Sequence, residues 1–172
     1  MLVPFTDLPP DARLWIFAAE RPLAADEQRE LLRAVDSFLA GWKAHGAPLD
    51  ASRDLRYGQF LLVAVDESAA GASGCSIDAM VRLLGEVEGR LGVELTNHAP
   101  VLYRTTGRVE RVGRSEFAKL AREGAVTADT IVFNNTLTRL SELQEGRWEL
   151  PARDSWHARA FFSGPAAVSS RS

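Results

Sequence analysis

The residues with the greatest capacity for chemistry are few: one cysteine, Cys75, and three histidines, His45, His98 and His157. Cys75 sits in "SGCSID", between an apolar run that ends at Asp66–Glu67 and a helical pattern that starts close to Ser76. A sulfur at such a junction lies beside N–H groups that the first turn of a helix leaves without intrahelical partners, a place that lowers a thiol pKa. Strand, glycine-containing turn, nucleophile and helix is also the order of a nucleophile elbow. The glycine positions of that motif are held here by Ser73, two before the cysteine, and Ile77, two after it. A phosphatase loop needs an arginine six positions on, where the chain has Val81 and only then Arg82. The same residues also read as a plain helix start, with Ser73 or Ser76 as cap, Gly74 as bend and Asp78 as the carboxylate that suits the dipole. A catalytic thiol needs a base. His157, in "DSWHARAFF", is the best candidate, while His45 reads as a cation at a helix C-terminus and His98 as a loop residue.

Other chemistry is absent from the pattern. There is no G-x-x-x-x-G-K-[ST] and no G-x-G-x-x-G after a strand, so neither ATP hydrolysis nor NAD use by the familiar routes is expected. One cysteine and dispersed histidines make no zinc set. Asp66, Glu67 and Asp78 could hold Mg²⁺ only if their loop folded back over the helix start; a solvated acidic loop is the simpler reading, and no metal or cofactor is assigned. Arg104, Arg108, Arg111 and Arg114 make a locally basic hairpin without aromatic stacking partners, hence a charged outer face.

The 172 residues, 46% hydrophobic and 25% charged, suffice for one core, and a single globular domain over 1–162 is expected. A formal charge of −3 attracts neither nucleic acid nor an anionic membrane. No apolar run approaches the ~18 residues of a membrane span, and "MLVPFTDLPPDARLW" has no basic n-region, so a cytoplasmic protein is expected. A single cysteine agrees with a reducing compartment. The last residues, 163–172, have the small polar composition of a disordered tail.

The elements that must position Cys75 follow from periodicity. "RLWIFAA" (13–19) and "YGQFLLVAVDE" (57–67) read as buried strands. Between them, Leu31, Leu32, Val35, Phe38, Leu39 and Trp42 recur at steps of three and four, one face of a helix that begins at Asp26–Glu27 and closes with Lys43, His45 and Gly46. Ile77, Met80, Val81, Leu84, Val87 and Leu91 mark a second helix over 76–91. "VLYRTTGRVERV" (101–112) reads as a hairpin, "RSEFAKLAREG" (114–124) as a helix capped by Ser115, and "DTIVFNN" (129–135) as a last buried strand. The order β-α-β-α-β-β-α-β predicts an α/β or α+β fold, a mixed sheet of about five strands with three helices packed against it. If strands 58–65 and 130–134 are parallel neighbours, Asp66, Glu67, Asn134 and Asn135 emerge at one edge beside Ser73, Gly74, Cys75, Ser76 and Asp78, where open α/β sheets bind ligands.

The pieces "DARLWIFAAERPL", "FLAGWKAHGAPLDAS", "FLLVAVDES", "SGCSIDA", "TIVFNN" and "WELPARDSWHARAFF" resemble, in that order, a bacterial family frequent in the Bacteroidetes, marked by an SGCSID motif and often labelled "ABC transporter ATPase". The P-loop and LSGGQ-type signature that such a label requires are missing. The resemblance implies that Trp42, His45, Asp66, Glu67, Ser73, Gly74, Cys75, Ser76, Asp78, Asn134, Asn135, Trp156 and His157 lie in the family's recurring motifs, and it implies no role for any of them. The leading expectation is binding of a small polar or anionic ligand at the Cys75 loop. The alternatives are a thiol-dependent hydrolase or transferase with Cys75 as nucleophile and His157 or His45 as base, and a protein-interaction module using exposed tryptophans.

Overall fold

A computed structural model describes residues 1–69, 71–72 and 74–163. In chain order its elements are β1 (Arg13–Ala18), α1 (Ala25–Ala40), β2 (Lys43–Ala44), β3 (Ala47–Pro48), β4 (Asp50–Arg56), β5 (Phe60–Asp66), α2 (Gly74–Leu91), β6 (Val101–Thr105), β7 (Arg108–Val112), α3 (Arg114–Arg122), β8 (Ile131–Phe133), α4 (Leu140–Gln144), β9 (Glu149–Pro151) and α5 (His157–Phe161). The chain is mixed α/β, with five helices and several sheets among the described residues. Contacts gather into two compact units. Unit 1 holds Met1–His98 with Asn135–Gln144, and unit 2 holds Ala99–Asn134 with the described residues from Glu145 on. Each has a core of its own. Of the tail expected at 163–172, Ser163 is described, donating its hydroxyl to the Arg159 carbonyl, and the rest lies outside the described residues. No helix of the described chain is long and apolar enough to cross a membrane.

The single mixed sheet expected from the sequence is not formed. Strands 58–65 and 130–134 fall in separate sheets, β1-β5-β4 in unit 1 and β7-β6-β8-β9 in unit 2, and every neighbouring pair of named strands is antiparallel. The reason lies in "DASRDLR", whose polar surface hides β4 from a hydrophobicity reading. β4 pairs with β5 along its length, Ala51 with Val65 and Leu55 with Leu61, and occupies the place beside β5 that a later strand was expected to fill. β5 is central, so its residues Phe60–Val65 are all buried. β1 and β4, both antiparallel to β5, run parallel to each other, and α1 makes the crossover between them.

One face of this sheet, with Phe17, Ala51, Leu61, Val63 and Val65, shares a core with Leu31, Val35 and Leu39 of α1 and Met80, Leu84 and Val87 of α2. Arg53 on β4 forks onto Asp36 of α1 at 2.7 and 2.8 Å, which fixes the helix along the strand. Both sheet edges are covered by irregular segments. Leu2 bridges Ala51 in parallel, and Arg13 bridges Arg139, with the Leu14 N–H donating to Thr138 O and the Leu140 N–H to Ala12 O at 2.9 Å each.

Helix α1 starts as its acidic first turn implies. Glu27 accepts the Ala24 N–H at 2.8 Å and a bidentate Arg21 at 2.8 and 2.9 Å, and these bonds, Arg21 foremost, hold its carboxyl down to about 2. The helix ends six residues before the expected stop. Gly41 caps it, donating to Phe38 and Leu39 carbonyls. The apolar period runs on past the helix because Trp42 lands in the same core, against Trp15 (centroids 6.0 Å) and Phe38 (5.4 Å). His45 is therefore no helix cation: with φ 51° beside Gly46 at φ 79°, it forms the two-residue turn of the β2–β3 hairpin.

Gly58, at φ +61° in the β4–β5 turn, carries the tightest backbone constraint of unit 1. A Cβ there would stand 2.8 Å from Gln28 Nε2, which itself donates to Leu23 O. Gly58→Ala should cost about 2 kcal/mol through left-handed strain and displacement of that amide. Urea denaturation checks it; an unchanged midpoint would show that the turn relaxes freely.

In unit 2 the hairpin β6–β7 forms over the expected residues, Val101 opposite Val112 and Thr105 opposite Arg108. α3 is capped by Gly113 and not by Ser115, which lies inside the helix. Phe117 on α3 is wholly buried with Val101, Tyr103, Val126, Val132 and Ala152.

Candidate functional site around Cys75

Helix α2 begins at Gly74, two residues earlier than its apolar period suggests, so Cys75 stands inside the first turn. Its side chain is exposed. Ser76 is not the cap: its hydroxyl donates to the Lys43 carbonyl at 3.0 Å and ties the start of α2 to the chain leaving α1. Ser73, the other candidate cap, lies outside the described residues. Gly74 is exposed, and a Cβ on it would meet nothing within 4 Å among the described residues, so no close packing with them demands a glycine there.

These two helix ends frame a shallow depression of about 520 Å³ lined by Ser37, Phe38, Gly41, Trp42, Lys43, Cys75, Ser76 and Ala79. Its described lining contains no carboxylate. Lys43 is exposed and has no acidic partner among the described residues. Trp42 is 4% exposed, and its indole N–H is buried without a hydrogen-bond acceptor among the described residues. The dipole ends of α1 and α2 oppose one another at roughly half a charge each, and the α1 end is further quenched by the N–H groups of Gly41 and Trp42. The full charge on Lys43 is therefore the one net charge carried by the described lining, with Asp78 exposed one turn after Cys75 but outside it.

The remaining sequence candidates do other work or stand apart. Asp66 accepts the Ser68 N–H at 2.8 Å, a local turn. Glu67 accepts the Ala72 N–H at 2.8 Å and faces Arg139 at 3.9 Å, so it pins the loop that leads to Cys75. Asp78 is exposed on α2 and is not among the lining residues. Asn134 follows β8 in unit 2, its N–H donating to Trp148 O at 2.7 Å, while Asn135 belongs to unit 1. Their convergence with Asp66 and Glu67 was argued from one parallel sheet, and with β5 and β8 in different sheets that argument has no basis. Among the described residues no three His, Cys, Asp or Glu side chains gather as a metal site.

His157 belongs to unit 2 and is engaged there. It is 1% exposed, with Nδ1 2.9 Å from the Ser155 hydroxyl and its ring stacked on Trp156 at 3.9 Å. Burial, with Arg114 adding to it, lowers its pKa to about 4, so the ring is neutral at pH 7. The tryptophans are not exposed platforms: Trp42 and Trp148 are buried, and Trp15 and Trp156 half-buried.

Sequence reasoning missed Ser37, Trp42 and Lys43. The signal was present in "FLAGWK", where a glycine breaks the helix just before an aromatic residue and an isolated cation. No protein-family model, no curated protein and no solved structure matches the chain.

Proposed function

We propose that this is a cytoplasmic protein that binds a small anionic ligand in the depression between the end of α1 and the start of α2. The observation that carries the reading is the lining itself: a lysine without an acidic partner, a tryptophan with a buried unpaired N–H, two serines and a cysteine, and no carboxylate among the described lining residues. Helix N–H groups and an ammonium group are the usual donors for such a ligand. Cys75 serves here as a lining group and a weak donor.

A thiol-dependent hydrolase or transferase is the second reading, favoured by the exposure of Cys75. It ranks below binding because no histidine lines the depression and the hydrogen-bond and ring partners of His157 all belong to unit 2.

Orthophosphate titrated into the full chain, followed by tryptophan fluorescence, tests the proposal. Lys43→Ala should weaken binding about tenfold, the worth of one charge-assisted bond, while Cys75→Ser keeps most of the affinity. Trp42→Phe, a large-to-small change in the core of unit 1, should cost about 1 kcal/mol of stability, read by urea denaturation, and so does not test the site. Orthophosphate should also slow alkylation of Cys75 by iodoacetamide. No binding at millimolar phosphate would overturn the proposal.

A further inference from the structure

Ser37 lines a second depression as well, about 550 Å³, which continues along the α1–α2 seam past Arg33, Arg29 and Arg90. Arg29, Arg33 and Ser37 follow one another at steps of four, a single stripe on α1 about 12 Å long that leads to the Lys43 end. Two carboxylates share this second depression. Glu30 is taken up by Arg90 at 2.9 Å, and Asp26 stands three residues before Arg29, one turn nearer the start of the helix. Arg29 and Arg33 have no carboxylate partner among the described residues, so two like charges are held one turn apart. An anion between them removes that repulsion, and a guanidinium fork matches phosphate oxygens.

We infer that the ligand is an elongated oligophosphate, with one phosphate at Lys43 and the first turn of α2 and the next ones along Ser37, Arg33 and Arg29. This rests on the anion-binding reading above and extends it. Asp26 limits the site, since a phosphate carried beyond Arg29 meets a negative charge. The chemistry is recognition of a phosphate chain, with no bond made or broken.

The test compares orthophosphate, tripolyphosphate and a tetraglutamate peptide by calorimetry on the full chain at low salt, with far-UV circular dichroism to verify the helices of each variant. Tripolyphosphate should bind at least about tenfold tighter than orthophosphate. The double variant Arg29→Ala/Arg33→Ala, which places good helix formers on an exposed face, should bring tripolyphosphate back to the orthophosphate level and leave orthophosphate affinity as it was. Lys43→Ala should weaken both. Equal affinity of the native chain for the two phosphates overturns the extension while leaving the single-anion site standing. Tetraglutamate binding as tightly as tripolyphosphate overturns the assignment to phosphate. Binding of neither phosphate overturns both readings.

Discussion

Phe117→Ala should destabilise unit 2 by about 4 kcal/mol, the largest loss expected from any single truncation described above. The ring is wholly buried and meets Phe161 at 4.8 Å and Tyr103 at 5.3 Å edge-on, with Phe162 and His157 at 6.2 and 6.3 Å. Such pairs add to the burial of area. The ring joins α3 to α5 through Phe161, beside the Arg114 guanidinium over Trp156 at 4.9 Å. Urea denaturation followed by near-UV circular dichroism measures the loss. A cost below about 1 kcal/mol would mean that the aromatic cluster collapses to fill the space.

The second large effect is acid sensitivity from His157. Its pKa in the folded chain is about 4, lowered first by burial and then by Arg114, against an ordinary value of 6.5. Between those values the unfolded chain binds a proton that the folded chain refuses. Stability from this residue is therefore complete above pH 6.5 and falls as the pH drops from 6.5 to 4, by about 3 kcal/mol in all. Below pH 4 both states are protonated and the contribution stays level. His157→Phe keeps an aromatic ring in the cluster and should flatten this part of the profile, which unfolding measurements at pH 7.5 and 4.5 on both proteins would reveal. Identical pH profiles for the two would show that another group carries the acid response.

Helices α1 and α2 and the central strand were legible in the sequence because burial there imposes a strict period, whereas α4 and α5, five residues each, are too short to show one and were not expected. Leu31, Val35 and Leu39, then Met80, Leu84 and Val87, state the faces of α1 and α2, and Phe60–Val65 states a strand buried on both sides. The sheet topology was not legible. β4 is polar because an ion pair to α1 and the chain's own N-terminal segment cover it, so Arg53 and Asp54 stand where an apolar alternation was sought. Trp42 misled in the opposite direction, since a core position reached after a glycine break has the same spacing as one more helical turn. Of the candidate site, the Cys75 loop could be found from composition. The glycine break before Trp42 and Lys43 marks them as a local feature, but that Lys43 and Ser37 approach the Cys75 loop depends on the end of α1 meeting the start of α2, a tertiary fact.

Residues 135–144 belong to unit 1 although the chain reaches them only after passing through much of unit 2. On a ribosome, β1, β4 and β5 are all made before residue 70, yet the backbone groups of Ala12 and Leu14 on the outer side of β1 wait for Thr138 and Leu140. Until then a freshly made strand stands open to any other chain with an unpaired edge. Synthesis order thus gives this protein a window of self-association that the finished fold no longer has, and closing it requires a loop of more than a hundred residues, whose entropy cost grows only with the logarithm of its length. Nascent chains released short of residue 138 should aggregate more than the full chain, as pelleting after release would show.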